Sequence, residues 1–253
     1  AGTFVNTTSD TQNVTLNSST FEVVTFDGTN DYMTRGADLT GNANSKVGIV
    51  SFWIKMAEDG VEQRVFRTDN GKFYIQRTNT NKFEVVGRDT GGGPGTQRLG
   101  MTSSSTSFTI AGGWQHVAMT WDVGNTLDDL YVNGIDDSPT IYENSNAVID
   151  YTSSNHGFGA TPAGGNKINA DIAEVYINFA EYFDLSANIG KFIDASGNPV
   201  DLGSDCSGPT GTSPIVCFKG PAADFNTNLG TGGNFSVTGA LADATDIEVF
   251  KDS

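Results

Sequence analysis

The chain has 253 residues, 37% of them apolar and 31 of them glycine, so it can bury a core but must turn often. Its 30 acidic residues outnumber 14 basic ones, and the formal charge of −16 repels phosphate backbones and anionic membranes, which excludes nucleic acid as a partner class. It contains no run of about 18 apolar residues, so no membrane insertion by a helix is expected, and no signal-peptide pattern marks its beginning at Ala1. Residues 1–20 are rich in Thr, Asn and Ser, with apolar residues thinly spread at Phe4, Val5, Val14 and Leu16. Such a segment has little to bury by itself. It reads as an extended N-terminal arm that orders against a partner, with Phe4 and Val5 as its anchor.

Phe21 to Phe26 reads as the first firm strand, Asp27-Gly28 turns it, and Tyr32-Met33 begins the return. Lys46 to Met56 follows, with Val50, Phe52, Ile54 and Met56 on one face and Trp53 on the other. Short strands then recur at Arg64–Arg67, Lys72–Arg77 and Lys82–Arg88, with turns at Asp69-Asn-Gly71 and Asn79-Thr-Asn81. That even meander marks an antiparallel sandwich and not alternating strand–helix units. Residues 89–98 form a glycine-rich surface loop, which lacks the Gly-Lys-Ser/Thr ending and the following helix of a phosphate loop. Trp114-Gln-His-Val-Ala-Met-Thr-Trp121-Asp122 and Asp129-Leu-Tyr-Val-Asn-Gly134 read as two antiparallel strands, and Asn133-Gly134 is a type I′ turn signal. Residues 136–166 are polar and irregular until His156–Ala160, and Ile168, Ile172, Val175 and Ile177 mark a late core strand. Asp184 to Ile193 is the one short helix, with Asp184 or Ser186 as N-cap. Pro214–Phe218 and Asn234–Gly239 are further strands in the tail. Cys206 and Cys217 flank a Gly/Pro/Ser/Thr loop, either as a disulfide closing a small ring or as two reduced thiols.

Three of these stretches carry a family resemblance. Trp114-x-His-Val-Ala-x-Thr-Trp with Leu-Tyr-Val-Asn-Gly, Val24-Thr-Phe-Asp-Gly-Thr-Asn-Asp-Tyr32 upstream, and Ile168-Asn-Ala-Asp-Ile-Ala-Glu-Val-Tyr-Ile177 downstream resemble the laminin-G-like, concanavalin A-like jelly rolls, in the order that family has them. The resemblance implies an all-β, antiparallel jelly-roll β-sandwich over residues 21–185, between the arm of residues 1–20 and a C-terminal extension, residues 186–253, that packs back on it. The tail, Lys191 to Gly203 and Gly232-Gly-Asn-Phe-Ser-Val-Thr-Gly239, resembles laminin-G-like proteins of tailed bacteriophages. What that implies is a virion location and a non-enzymatic structural role, as a capsid decoration or fibre-like subunit. Its expected partners are other virion proteins, further copies of itself and host-surface glycans. The alternative is a lectin-like, carbohydrate-binding adhesion module.

The sequence offers little catalytic chemistry. Glycosidases of this superfamily carry Glu-x-Asp-x-(x)-Glu on one strand, and no such strand is present: Glu143 and Glu181 are isolated, and Asp128-Asp129 and Asp136-Asp137 read as solvated turn acids. The two histidines, His116 and His156, have no nucleophile-elbow motif nearby. Calcium is the one cofactor with candidate ligands, namely Asp27, Asn30 and Asp31 of the opening turn with Asp171 of the late strand. Many relatives have Ile-Asp-Glu in the late strand where this chain has Ile172-Ala173-Glu174, so a carried-over site is one acid short. Sugar binding needs exposed aromatics beside polar groups, and Tyr32, Tyr74, Tyr142 and Tyr151 are the candidates by position.

Overall fold

The computed structural model describes residues 17–251. Its strands are β1 (Asn17–Phe21), β2 (Val24–Asp27), β3 (Tyr32–Thr34), β4 (Val47–Met56), β5 (Gln63–Thr68), β6 (Phe73–Arg77), β7 (Phe83–Arg88), β8 (Gln97–Thr102), β9 (Trp114–Asp122), β10 (Leu127–Val132), β11 (Ile135–Asp136) and β12 (Thr140–Asn144). They continue with β13 (His156–Phe158), β14 (Asn169–Asn178), β15 (Val216–Phe218), β16 (Ser236–Thr238), β17 (Ala242–Asp243) and β18 (Ile247–Lys251).

Two eight-stranded antiparallel sheets face each other. The first runs β11-β10-β9-β4-β14-β2-β17, with β15 also on β14; the second runs β12-β8-β7-β6-β5-β13-β3-β16. The alternation read in the central stretch sets the layers. Val117, Met119 and Trp121 of β9 enter the core between the sheets with Phe52, Phe73, Phe83 and Phe158. The alternate residues His116, Ala118 and Thr120 are also fully buried, because a third layer covers that side. It consists of the segment after β14: Leu185, Phe192, Leu202, Cys206 and Cys217 pack on Ile49, Ala118 and Tyr176, and Ile193 packs on Trp53 and Ala173. Asn133 and Gly134 have φ of 51° and 79°, the paired left-handed conformation of a type I′ turn, and join β10 to β11.

Several elements differ from the sequence reading. The strand expected over Phe21–Phe26 breaks at Glu22-Val23, where the Val23 carbonyl accepts the Ala244 N–H and the chain passes from β1 to β2. β1 pairs with β18, so residues 17–20, read as arm, are strand. Strands β8 and β12 lie where loop was expected. The helix is a single turn, α1 (Leu185–Asn188), continued by a 3-10 turn over Ile189–Lys191. Asp184 is its N-cap, accepting the Ser186 and Ala187 N–H groups. Cys206 and Cys217 form a disulfide. Asp137 is no solvated turn acid: it is 4% exposed and accepts N–H or O–H donors from Ser104, Ser105 and Thr106. Burial pushes its carboxyl up, but these hydrogen bonds outweigh that and hold it below the usual range.

Candidate functional site

The second sheet has one face in the core and one that carries no third layer of apolar packing among the described residues. Its outward rows come from register. Arg67 faces Tyr74, Tyr74 faces Val86, and Val86 faces Gly100; in the next row Arg64 faces Gln76, Gln76 faces Glu84, and Glu84 faces Thr102. Arg64 and Arg67 are three residues apart, a spacing that in a regular strand puts side chains on opposite faces. A bulge between Arg64 and Phe66 brings both to the outer face.

Tyr74 is the centre of the cluster. The Arg64 guanidinium carbon lies 4.9 Å from its ring centroid and that of Arg88 lies 5.7 Å away. Burial raises the Tyr74 hydroxyl pKa, and neighbouring Glu84 adds to the effect. Arg64 is 9% exposed, and its Nη2 lies 3.0 Å from Glu62 Oε1. Burial lowers its pKa, an effect Glu62 opposes and Arg67 reinforces. Arg88 Nη1 donates to the Gly71 carbonyl at 3.1 Å. Across the sheet, Gln76 and the Tyr142 hydroxyl both donate to the Glu84 carboxylate. The Tyr142 ring lies over Gly100, where a Cβ would collide with its Cε2. Four buried polar atoms here have no hydrogen-bond partner: Arg64 Nε, Arg64 Nη1, Arg67 Nε and Gln76 Oε1. Most buried polar groups in proteins are paired, and this face gathers four of the twelve unpaired buried side-chain atoms among the described residues, which suits a polar ligand. Aromatic faces beside planar amide and guanidinium groups match a sugar, with its apolar C–H face and its rim of hydroxyls.

The face brings together two of the four tyrosines singled out in the sequence. Tyr151 is fully buried, its hydroxyl between Trp121 Nε1 and the Val47 carbonyl. Tyr32 is in β3 of the same sheet but three strands from Tyr74, with Lys167 Nζ 5.9 Å from its ring centroid. Sequence reasoning passed over Arg64, Arg67, Gln76, Glu84 and Arg88. The available signal was four arginines, Arg64, Arg67, Arg77 and Arg88, within 25 residues of a chain so short of basic groups.

The turn of the proposed calcium ligands holds Asp27, Asn30 and Asp31 together, but around N–H donors. Asp27 Oδ1 accepts the Thr29, Asn30 and Asp31 N–H groups, which hold its carboxyl below the usual range, the Asn30 bond foremost. Asp31 Oδ1 accepts the Ala240 N–H and its Oδ2 the Asp27 N–H. Asp171 is not in the group: it pairs with Thr25, takes that hydroxyl at 2.6 Å and lies 3.4 Å from Lys55 Nζ. Calcium takes about six to eight oxygen ligands, and carboxylates already facing N–H groups and an ammonium do not fit it. Among the described residues no cluster of three or more His, Cys, Asp or Glu is placed to hold a metal ion.

Two other places hold unusual ionisable groups. Ser51 Oγ and His116 Nε2 are 2.8 Å apart, a nucleophile–base distance, yet both are shut beneath the third layer and His116 Nδ1 has no partner to orient it. Burial pushes His116 down to about 3, so it is neutral. Glu174 sits at a bulge of β14, where the neighbouring strand changes from β2 to β15. It has φ of 48°, is 6% exposed, and lines a cavity of about 320 Å³ with Glu22, Asp201 and Lys219. Its Oε2 has no partner, and burial pushes its carboxyl up to about 7.

The sandwich and its motifs agree with a family match over residues 26–179, to the Concanavalin A-like lectin/glucanases superfamily. The chain belongs to that superfamily. The concanavalin A-like segment contains the whole Arg64–Tyr142 face, whereas the third layer from Leu185 onward lies beyond it. Among solved structures, a candidate carbohydrate binding protein from Bacteroides ovatus superposes with a TM-score of 0.52 at 12% identity, over 93% of this chain and 61% of its own. A heptameric SAP-like pentraxin from Limulus polyphemus gives 0.49 at 13% identity, over 66% and 79%. The CBM40 of a Ruminococcus gnavus IT-sialidase, bound to α2,3 sialyllactose, gives 0.47 at 14%, over 67% and 95%. The first of these likenesses, at 12% identity, bears on the fold alone. No curated protein matches the chain significantly in sequence.

Proposed function

We propose that this protein is a non-enzymatic, lectin-like carbohydrate-binding module whose glycan seats on the outer face of the second sheet. The observation that carries the reading is the open cluster of Tyr74 and Tyr142 with Arg64, Gln76, Glu84 and Arg88, in which buried polar atoms lack partners. Glu84 is the one carboxylate at its centre, and glycosidic cleavage needs two. A glycan panel probed with the full chain tests the reading. We expect binding that Tyr142→Ala weakens about tenfold, the size of one lost aromatic anchor, and that Tyr74→Ala also weakens by releasing the arginines packed on its ring. No binding across a broad panel rejects it.

The resemblance of residues 191–203 and 232–239 to tailed-phage proteins favours a second reading of where the module works. In it the chain is a virion subunit, a capsid decoration or fibre-like protein present in several copies, and the first twenty residues with Phe4 and Val5 anchor it. Those two residues lie outside the described residues. Quantitative mass spectrometry of gradient-purified particles tests this: copies near those of the shell protein mean decoration, a handful means a fibre, and absence removes the reading.

A further inference from the structure

We infer that the ligand of this face is an acidic saccharide, one whose ring carries a carboxylate or a sulfate; the inference rests on the carbohydrate-binding reading above. In a chain of net charge −16, the guanidinium groups of Arg64 and Arg88 lie over one tyrosine, and Arg67, opposite that tyrosine in register, is close enough to lower the pKa of Arg64. Like charges held this close repel, and Arg64 is almost wholly withdrawn from water as well. The acids nearby do not balance them. Glu62 takes one nitrogen of Arg64, and Glu84 is engaged by Gln76 and Tyr142. Arg64 Nε, Arg64 Nη1 and Arg67 Nε are left as buried cationic donors without acceptors.

An unpaired buried donor costs about 1–3 kcal/mol, and more when it is charged. A neutral hydroxyl of a sugar satisfies a donor but leaves the charge. A carboxylate or sulfate does both, since its paired oxygens match the guanidinium fork. Gln76 Oε1 is the complementary group, an unpaired acceptor placed for a hydroxyl on the same sugar. The Tyr74 ring is engaged by arginines, so the apolar face of the sugar falls to Tyr142, which is 47% exposed. An acidic group toward Arg64 and Arg67, a hydroxyl toward Gln76 and a C–H face toward Tyr142 together describe one acidic pyranose.

Calorimetry on the full chain, with size-matched neutral, carboxylated and sulfated oligosaccharides and with sodium sulfate alone, tests the inference. We expect binding to the carboxylated or sulfated set, with the neutral counterpart at least about tenfold weaker, as the loss of one charge-assisted contact requires. Rising salt should weaken binding. Arg64→Lys and Arg67→Gln should each lower affinity about tenfold without changing the circular dichroism, and two variants guard against one that fails to fold. Equal affinity for neutral and acidic sets overturns the inference and leaves the carbohydrate reading standing. Acidic-glycan binding that neither arginine variant weakens also overturns it, as does sodium sulfate binding as tightly as the sulfated sugar. Silence across all saccharide sets rejects the carbohydrate reading itself.

Discussion

Glu174 holds a left-handed backbone conformation that side chains rarely adopt, with its carboxyl buried beside Lys219, Asp201 and Glu22. Burial raises its pKa to about 7 in the folded chain from an ordinary value of 4.5, so the folded state binds the proton more tightly. The stability this gives is complete below pH 4.5 and is lost as pH rises to about 7, roughly 3 kcal/mol in all. His116 works the other way. Its folded pKa of about 3 lies below 6.5, so it destabilises the fold progressively as pH falls between those values. The slopes oppose each other in the wild type, and the difference from a Glu174→Gln variant isolates the first. We expect the variant to match the wild type in urea titrations near pH 4 and to exceed it by roughly 3 kcal/mol near pH 8; equal stability at both places the burial of Glu174 in doubt. Gly100→Ala tests the sugar face at the same scale. Its methyl group would displace the Tyr142 ring lying over it, so glycan affinity should fall while the melting temperature changes little. At the opening turn, excess calcium and excess EDTA should give the same melting temperature, because Asp27, Asp31 and Asp171 are already engaged.

At the scale of elements, the sequence reveals those strands that alternate and turn in recognisable ways. β4, β9 and β14 carry long apolar stretches, and Asn133-Gly134 carries the only backbone geometry a type I′ turn allows. β8 and β12 were illegible because Gln97–Thr102 includes Gly100 and Thr140–Asn144 is exposed or half-buried throughout; their partners come from sheet register and not from their own pattern. The sugar face was illegible for a related reason. Its tyrosines stood out, but strand alternation assigns Arg64 and Arg67 to opposite faces, and only the bulge between Arg64 and Phe66 unites them. The disulfide makes a prediction of its own. It ties the loop after Leu202 to β15 within the third layer, on the opposite side of the sandwich from the sugar face. Reduction, or Cys206→Ser with Cys217→Ser, should lower stability by about 2–4 kcal/mol. Glycan affinity below the melting transition should be unchanged, and a parallel loss would mean that the two faces are coupled.

For the whole molecule, the two sheets are treated unequally. The first is buried on both sides, by the second sheet and by the chain after β14, while among the described residues the second has no such apolar cover on its outer side. The tail therefore belongs to the fold. It supplies β15, β16 and β17 to the sheets, covers Ile49, Trp53, His116, Ala118 and Tyr176, and returns as β18 beside β1. The family match ends at residue 179, and a chain cut there retains every residue of the sugar face. It nonetheless exposes Ile49, Trp53, Ala118 and Tyr176 as one apolar patch, with His116 and Ser51 among them. An apolar surface of that kind on a sheet is an aggregation site, and each large side chain returned to water forgoes about 1.5–3 kcal/mol. Domain stabilities lie near 5–15 kcal/mol, so losing several such contacts uses up the margin. Expression of residues 21–184 alone should accordingly give insoluble or dye-binding material without a cooperative thermal transition, while the full chain melts cooperatively. A soluble truncated chain that unfolds in one sharp step would show that the sandwich stands without its third layer, and that the tail serves an interaction and not the fold.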